Sequence, residues 1–182
     1  MKIGNREIGG HLCFIVAELG INHNGSTALA IEMTRAAVEA GADAVKVQAF
    51  SARHFCTDRA MYKGENQVEM FSRYELSNAG IRAIAKECNR LGVTFLGTPD
   101  CIAHAELLLD CGAPALKIGS DDLTNLPLIQ QLGALAPLII STGMGDLQEI
   151  IEAMNATVRP PLLQCVSMYP CPIEKAALNR IG

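Results

Sequence analysis

Two lysines stand where apolar residues are expected. Lys46 lies inside "ADAVKVQAF" (42–50) and Lys117 inside "ALKIGSDD" (115–122), each flanked by residues of buried-strand type. In the first stretch Val45, Val47 and Ala49 share one face of a strand, and Lys46, Gln48 and Phe50 share the other. One reading is an edge strand with a wet face. The other is a lysine aimed into a pocket that receives an anion. Two ammonium groups approaching one region, with the hydroxyls of Thr98, Ser120 and Ser141 near them, suit a doubly charged phosphate. Two alternatives use the same residues: an ion pair of either lysine with Glu18 or Asp122, or a Schiff-base lysine of the aldolase kind.

These side chains need a scaffold that brings strand ends together, and the chain has the grammar of one. Six short apolar segments, "CFIVAE", "DAVKVQAF", "VTFLGTP", "ALKIGS", "PLIISTG" and "LLQCVS", alternate with helical segments. In "LSNAGIRAIAKECNRLG" Ser77 is placed to cap a helix, and Ile81, Ile84, Ala85, Cys88 and Leu91 form a stripe at helical spacing. Asp146 with Glu149 reads as a capping box, and Asn125 with Pro127 as another helix start. Gly41, Gly92, Gly112 and Gly133 are expected to end helices in a left-handed conformation. Alternation of this kind predicts a parallel sheet covered by right-handed crossovers, either open and doubly wound or closed into a (β/α) barrel. No G-x-G-x-x-G follows the first strand, which weakens the dinucleotide-binding alternative.

Every strand candidate turns polar as it finishes: Glu18; Lys46 and Gln48; Thr98; Lys117 and Ser120, then Asp121 and Asp122; Ser141 and Thr142; Ser167 and Tyr169. In barrels the active site is built from the C-terminal strand ends and the loops after them. Six polar endings in succession favour that architecture.

Bulk composition narrows the partners. The 182 residues carry a net charge of −4, against nucleic acid or an anionic membrane as the main partner. No apolar run is long enough to span a bilayer, and "MKIGNREIGG" lacks the apolar core of a signal peptide, so a cytoplasmic location is expected. Seven cysteines without C-x-x-C pairing describe neither a disulfide framework nor a zinc knuckle; small core residues are expected, for example Cys13 and Cys165. The polar segment 51–73 has two readings, a lid or a surface insertion. His23, in "NHNG", has a loop-structural reading beside a functional one, and His104 is expected at the surface of an outer helix.

The strings "IVAELGINHNG", "AGADAVKVQAF", "YELS", "GTPD", "LKIGSDDLTNLPLI", "IISTGMGDLQEI" and "QCVSMYP", in this order, resemble the sialic acid synthase (N-acetylneuraminate synthase) family from about Phe14 to the C-terminus. The resemblance implies an α/β fold of the (β/α) TIM-barrel type. It also implies condensation of phosphoenolpyruvate with an N-acetyl sugar such as N-acetylmannosamine, giving a nine-carbon keto acid and phosphate. Lys46, Thr98, Lys117, Ser120, Ser141 and Ser167 fall where the family holds phosphoenolpyruvate. Glu18, Gln48, Asp122 and Tyr169 fall where it holds the sugar or assists the chemistry. A divalent metal, Mn or Mg, is implied as Lewis acid on the aldehyde, yet the family's Ser-Asp-His stretch and second metal-binding histidine have no counterpart here, and no metal ligand is assigned. A homodimer is implied for the full-length family. Residues 1–182 are expected to form a single incomplete barrel domain with six of eight βα units, truncated before the last two strands and the antifreeze-like domain. Gln164 and Cys171 depart from the His and Thr common beside the "YP" turn. A non-catalytic chain that keeps only phosphate binding is the competing function.

Overall fold

A computed structural model describes residues 2–4, 6–9 and 11–181. The chain forms two compact units, 1–114 and 115–182.

The first unit begins with a small antiparallel hairpin, β1 (Lys2–Ile3) and β2 (Arg6–Glu7). Then follow β3 (Val16–Gly20), α1 (Thr27–Glu39) and β4 (Ala44–Ala49). The next segment contains α2 (Ala52–Phe55), the hairpin β5 (Met61–Tyr62) and β6 (Glu65–Asn66), and α3 (Gln67–Ser72). The irregular stretch 51–73 is therefore mostly structured, and Phe50, Phe55 and Phe71 pack ring against ring with centroids 5.1–6.0 Å apart. The unit closes with α4 (Asn78–Leu91), β7 (Thr94–Pro99) and α5 (Ile102–Asp110).

β4 lies between β3 and β7, parallel to both, with Gln48 opposite Thr98 and Ala49 opposite Pro99. All of β4 is buried except Gln48, which is half-buried. An edge strand with a wet face is thereby excluded: Lys46 sits on an interior strand at 7% exposure. The helices cover this sheet as the stripe predicts, since Ile81, Ile84, Ala85 and Cys88 of α4 are all buried. Ser77 caps α4 by accepting from Gly80 N (3.1 Å), and Gly92 ends it at φ 70°, where a side chain would be strained. Arg35 of α1 and Arg90 of α4 both donate to Glu87 (2.7–2.8 Å), which ties the two helices together.

The second unit contains β8 (Leu116–Ile118), α6 (Leu126–Leu135), β9 (Leu138–Ser141), α7 (Leu147–Asn155) and β10 (Leu162–Leu163), then two short 3₁₀ turns. β9 pairs in parallel with β8 and with β10. Leu116, Ile118, Ile140, Ile129 and Leu132 form its buried interior. Asn125 caps α6, and the Asp146–Glu149 capping box opens α7 as expected.

Three local expectations need correction. Gly133 lies inside α6 rather than ending it; an added Cβ would run into the Thr157 hydroxyl, so it is small for packing. Cys13 is exposed and Cys165 half-buried, because each lies outside the short strand it was expected to occupy; Cys88 alone of the seven is fully buried. His104 is not a free surface residue, since its side chain is 19% exposed and bound to Asp100. Among the described residues no helix is long and apolar enough to cross a membrane.

Candidate functional site

The chemistry-bearing residues of the first unit meet at the C-terminal ends of its strands. The Glu18 and Lys46 backbones are register partners, so both side chains emerge at one level. Lys46 Nζ forms an ion pair with Glu18 Oε2 and donates to Thr98 Oγ1 (2.9 Å) from two residues further along β7. Glu18 Oε1 accepts from Gly20 N (2.9 Å), which fixes the carboxylate as β3 ends. Glu18 is 44% exposed while Lys46 is 8% exposed by side chain, so the anion faces water and the cation is enclosed. The ion-pair reading of Lys46 with Glu18 is the one the structure shows. Gln48 lies beside Thr98 in register.

In the second unit the hydroxyls gather around Gly143. Its backbone N–H donates to Ser120 Oγ (3.1 Å), and a Cβ at this position would lie 2.5 Å from Ser167 Oγ and 2.8 Å from Ser120 Oγ. Only glycine leaves those two hydroxyls where they stand. Ser141, at the end of β9, is 1% exposed, and its Oγ has no hydrogen-bond partner among the described residues. A buried hydroxyl in that state costs about 1–3 kcal/mol until some acceptor or donor reaches it. Lys117 is half-buried on β8. Asp122 accepts from Asn125 Nδ2 (3.2 Å) in the turn before α6. Tyr169 is 99% exposed.

His23 is fully buried, and its Nδ1 accepts from Gly25 N (3.1 Å), as the loop-structural reading requires. Burial pushes its imidazole below the ordinary value, against a smaller upward pull from the Gly20 backbone.

One cluster was missed in the sequence. Ligand atoms of His54, Asp100 and Cys101 lie within 4.8 Å of one another, with His104 Nδ1 2.5 Å from Asp100 Oδ1. The run Asp100-Cys101-x-x-His104 was a visible signal, but His54 joins it only through the pairing of β4 with β7. The thiolate in this set does not suit the Mn or Mg that the resemblance implies, because soft sulfur ligands favour zinc-class ions.

Over residues 33–182 the chain matches the NeuB family. It belongs to that family. An N,N'-diacetyllegionaminic acid synthase of Legionella pneumophila is 38% identical over 187 residues, covering 92% of this chain and 52% of that protein. An N-acetylneuraminate-9-phosphate synthase of Homo sapiens is 29% identical, covering 97% of this chain and 53% of its own length. The solved N-acetylneuraminic acid (sialic acid) synthetase of Leptospira borgpetersenii, in complex with citrate, superposes with a TM-score of 0.87 at 30% identity, covering 100% of this chain and 64% of that one. The α/β fold of the barrel type, favoured by the polar strand ends and implied by the resemblance, is thereby confirmed for this NeuB member. The chain spans about half the length of the curated relatives it matches.

Proposed function

We propose that this chain carries the phosphoenolpyruvate-binding part of a sialic acid-type synthase, which condenses phosphoenolpyruvate with an N-acetyl sugar. The observation that carries the proposal is the enclosed Lys46 ammonium, set between the Glu18 carboxylate and the Thr98 hydroxyl at adjacent strand ends. Family membership supplies the reaction class, and the relatives' names span legionaminic, neuraminic and pseudaminic acid synthases, so the sugar is an N-acetyl sugar of that group.

In this reading Lys46, Thr98, Lys117, Ser120, Ser141 and Ser167 hold phosphoenolpyruvate. A phosphate or carboxylate oxygen gives the Ser141 hydroxyl the acceptor it lacks, and the Ser120–Gly143–Ser167 cluster offers further donors. C3 of the enol forms a bond to the aldehyde carbon of the open-chain sugar while positive character develops at C2. Water adds at C2, and the tetrahedral intermediate breaks its C–O bond to release phosphate. Fixed cations and hydroxyls align the enol and stabilise the charge on the leaving group. Glu18 holds Lys46 in place and, with its water-facing side, accepts the proton of the attacking water. Gln48, Asp122 and Tyr169 are assigned to the sugar.

A Schiff-base aldolase acting through Lys46 is disfavoured by the same geometry. Nucleophilic lysines are activated by apolar or cationic surroundings, and Lys46 has a carboxylate against it. The discriminating experiment incubates the chain with phosphoenolpyruvate and N-acetylmannosamine or its diacetylated relatives, and follows phosphate. Sugar-dependent release supports the synthase reading. Borohydride trapping of a pyruvate adduct on Lys46 or Lys117 without sugar-dependent release overturns it.

A further inference from the structure

We propose that His54, Asp100 and Cys101 form a site for a zinc-class divalent ion, with His104 orienting Asp100 from outside the ion's ligand shell. The argument begins with the backbone. Asp100 N donates to Ala49 O (3.1 Å), which extends the β4–β7 ladder one step beyond its last register pair. The residues that follow each strand are therefore held side by side. Ser51 N donates to Asp100 Oδ2 (2.8 Å) and Ala52 N to Glu75 Oε1 (2.5 Å), so two carboxylates pin the first turn of α2. Packing of Phe55 on Phe50 and Phe71 fixes the far side of that turn. His54 is carried on this doubly anchored turn, and its ring reaches Asp100 and Cys101.

Two features point to a ligand. Cys101 occupies the N-cap of α5, a position that favours Ser, Thr, Asp or Asn, with its sulfur toward the backbone N–H groups of Ala103 and His104. Its Sγ also lies 3.4 Å from His104 Nδ1 and against the Asp100 carboxylate. Asp100 in turn is held through both oxygens, by Ser51 N–H at Oδ2 and by His104 Nδ1 at Oδ1. Metal-ligating carboxylates are typically oriented by such outer hydrogen bonds.

The donor set chooses the ion. One imidazole nitrogen, one thiolate and one carboxylate suit zinc, whose bonds run about 2.0–2.1 Å to nitrogen, 2.0–2.2 Å to oxygen and 2.3 Å to sulfur. Ligand atoms within 4.8 Å of one another need to contract by roughly an ångström to meet one ion at those lengths. His54 is exposed, so its ring is able to turn inward and supply most of that movement. Three protein ligands leave the fourth position to water or to an oxygen of a bound anion. The ion would clip α2 to the loop between β7 and α5. None of this depends on phosphoenolpyruvate binding.

The test uses chelator-treated protein titrated with Co²⁺ and with Zn²⁺. The expected result is one equivalent bound, a sulfur-to-cobalt charge-transfer band in the near ultraviolet, a rise in melting temperature, and slowed alkylation of Cys101 when zinc is present. Cys101→Ser, a near-isosteric change, should abolish the band, and His54→Gln should weaken binding at least tenfold. His104→Gln should keep the band and weaken binding about 10- to 100-fold, the range for an orienting partner. Cys13→Ser and Cys171→Ser, at exposed positions outside the cluster, should change nothing. A band that survives Cys101→Ser, a band lost with either exposed cysteine, or unchanged Cys101 alkylation with no shift in melting would overturn the proposal.

Discussion

The ion pair between Glu18 and Lys46 is lopsided, and the two ways of breaking it should differ. Replacing Glu18 by Gln takes a carboxylate from a cation whose side chain is only 8% exposed. Replacing Lys46 by Met leaves the charge on Glu18, which is 44% exposed and keeps its bond from Gly20 N. Orphaning one charge of a fully buried pair costs about 3–5 kcal/mol, whereas exposed pairs contribute about 0–1 kcal/mol. Glu18→Gln takes the carboxylate from the enclosed cation, which keeps its bond to Thr98 Oγ1; discounted for that bond and for the half-exposed carboxylate, the cost falls below the first limit, to about 2 kcal/mol. Lys46→Met strands the wet partner and keeps most of the stem's volume, so it lies toward the second, about 1 kcal/mol or less. For a chain of this length each kcal/mol moves the melting temperature by about 2–4 °C. Urea unfolding and thermal melts of both variants measure the difference directly. Phosphoenolpyruvate, an anion able to stand in for the lost carboxylate, should recover more stability in Glu18→Gln than in wild type. If Lys46→Met is as destabilising as Glu18→Gln, the enclosed cation is not the strained member and the reasoning fails.

Three further outcomes follow from other parts of the chain. Ser141→Ala removes a buried hydroxyl without a partner among the described residues, so it should raise the melting point, by up to the ~1–3 kcal/mol the orphan costs, while weakening phosphoenolpyruvate binding by calorimetry; a lower melting point contradicts this. Gly143→Ala puts a methyl 2.5 Å from Ser167 Oγ and 2.8 Å from Ser120 Oγ, and should cost about 1–3 kcal/mol and reduce phosphoenolpyruvate affinity at least tenfold. Hydrogen bonds from Arg90 and then Arg35 hold the Glu87 carboxyl at about 2, below its ordinary 4.5. Its contribution is complete above pH 4.5 and disappears as pH falls toward 2, so melting temperatures of wild type and Glu87→Gln should converge across that window.

The residues explain which parts of this could be read in advance. β4 and α4 were legible because one carries a β-type apolar pattern and the other a stripe at helical spacing with its cap. Caps at Asn125 and Asp146 were legible because the side chain that starts the helix is local to it. The terminal strands were less so: β3 begins at Val16 and β10 covers only Leu162–Leu163, since apolar composition does not say how many residues find a pairing neighbour. Gly133 was misplaced because its smallness serves a contact with Thr157, and that contact is tertiary. The pairing of Lys46 with both Glu18 and Thr98 follows from register, which turns three residues distant in sequence into neighbours. The same register brings His54 to Asp100 and Cys101, and no spacing along the chain announces it.

The central claim is that the enclosed Lys46 ammonium binds the anion of phosphoenolpyruvate. Calorimetric titration of phosphoenolpyruvate into wild type and Lys46→Met tests it most directly. The account predicts that the change weakens binding at least tenfold, about 1.4 kcal/mol. Wild-type affinity in Lys46→Met, with the variant folded, would contradict it.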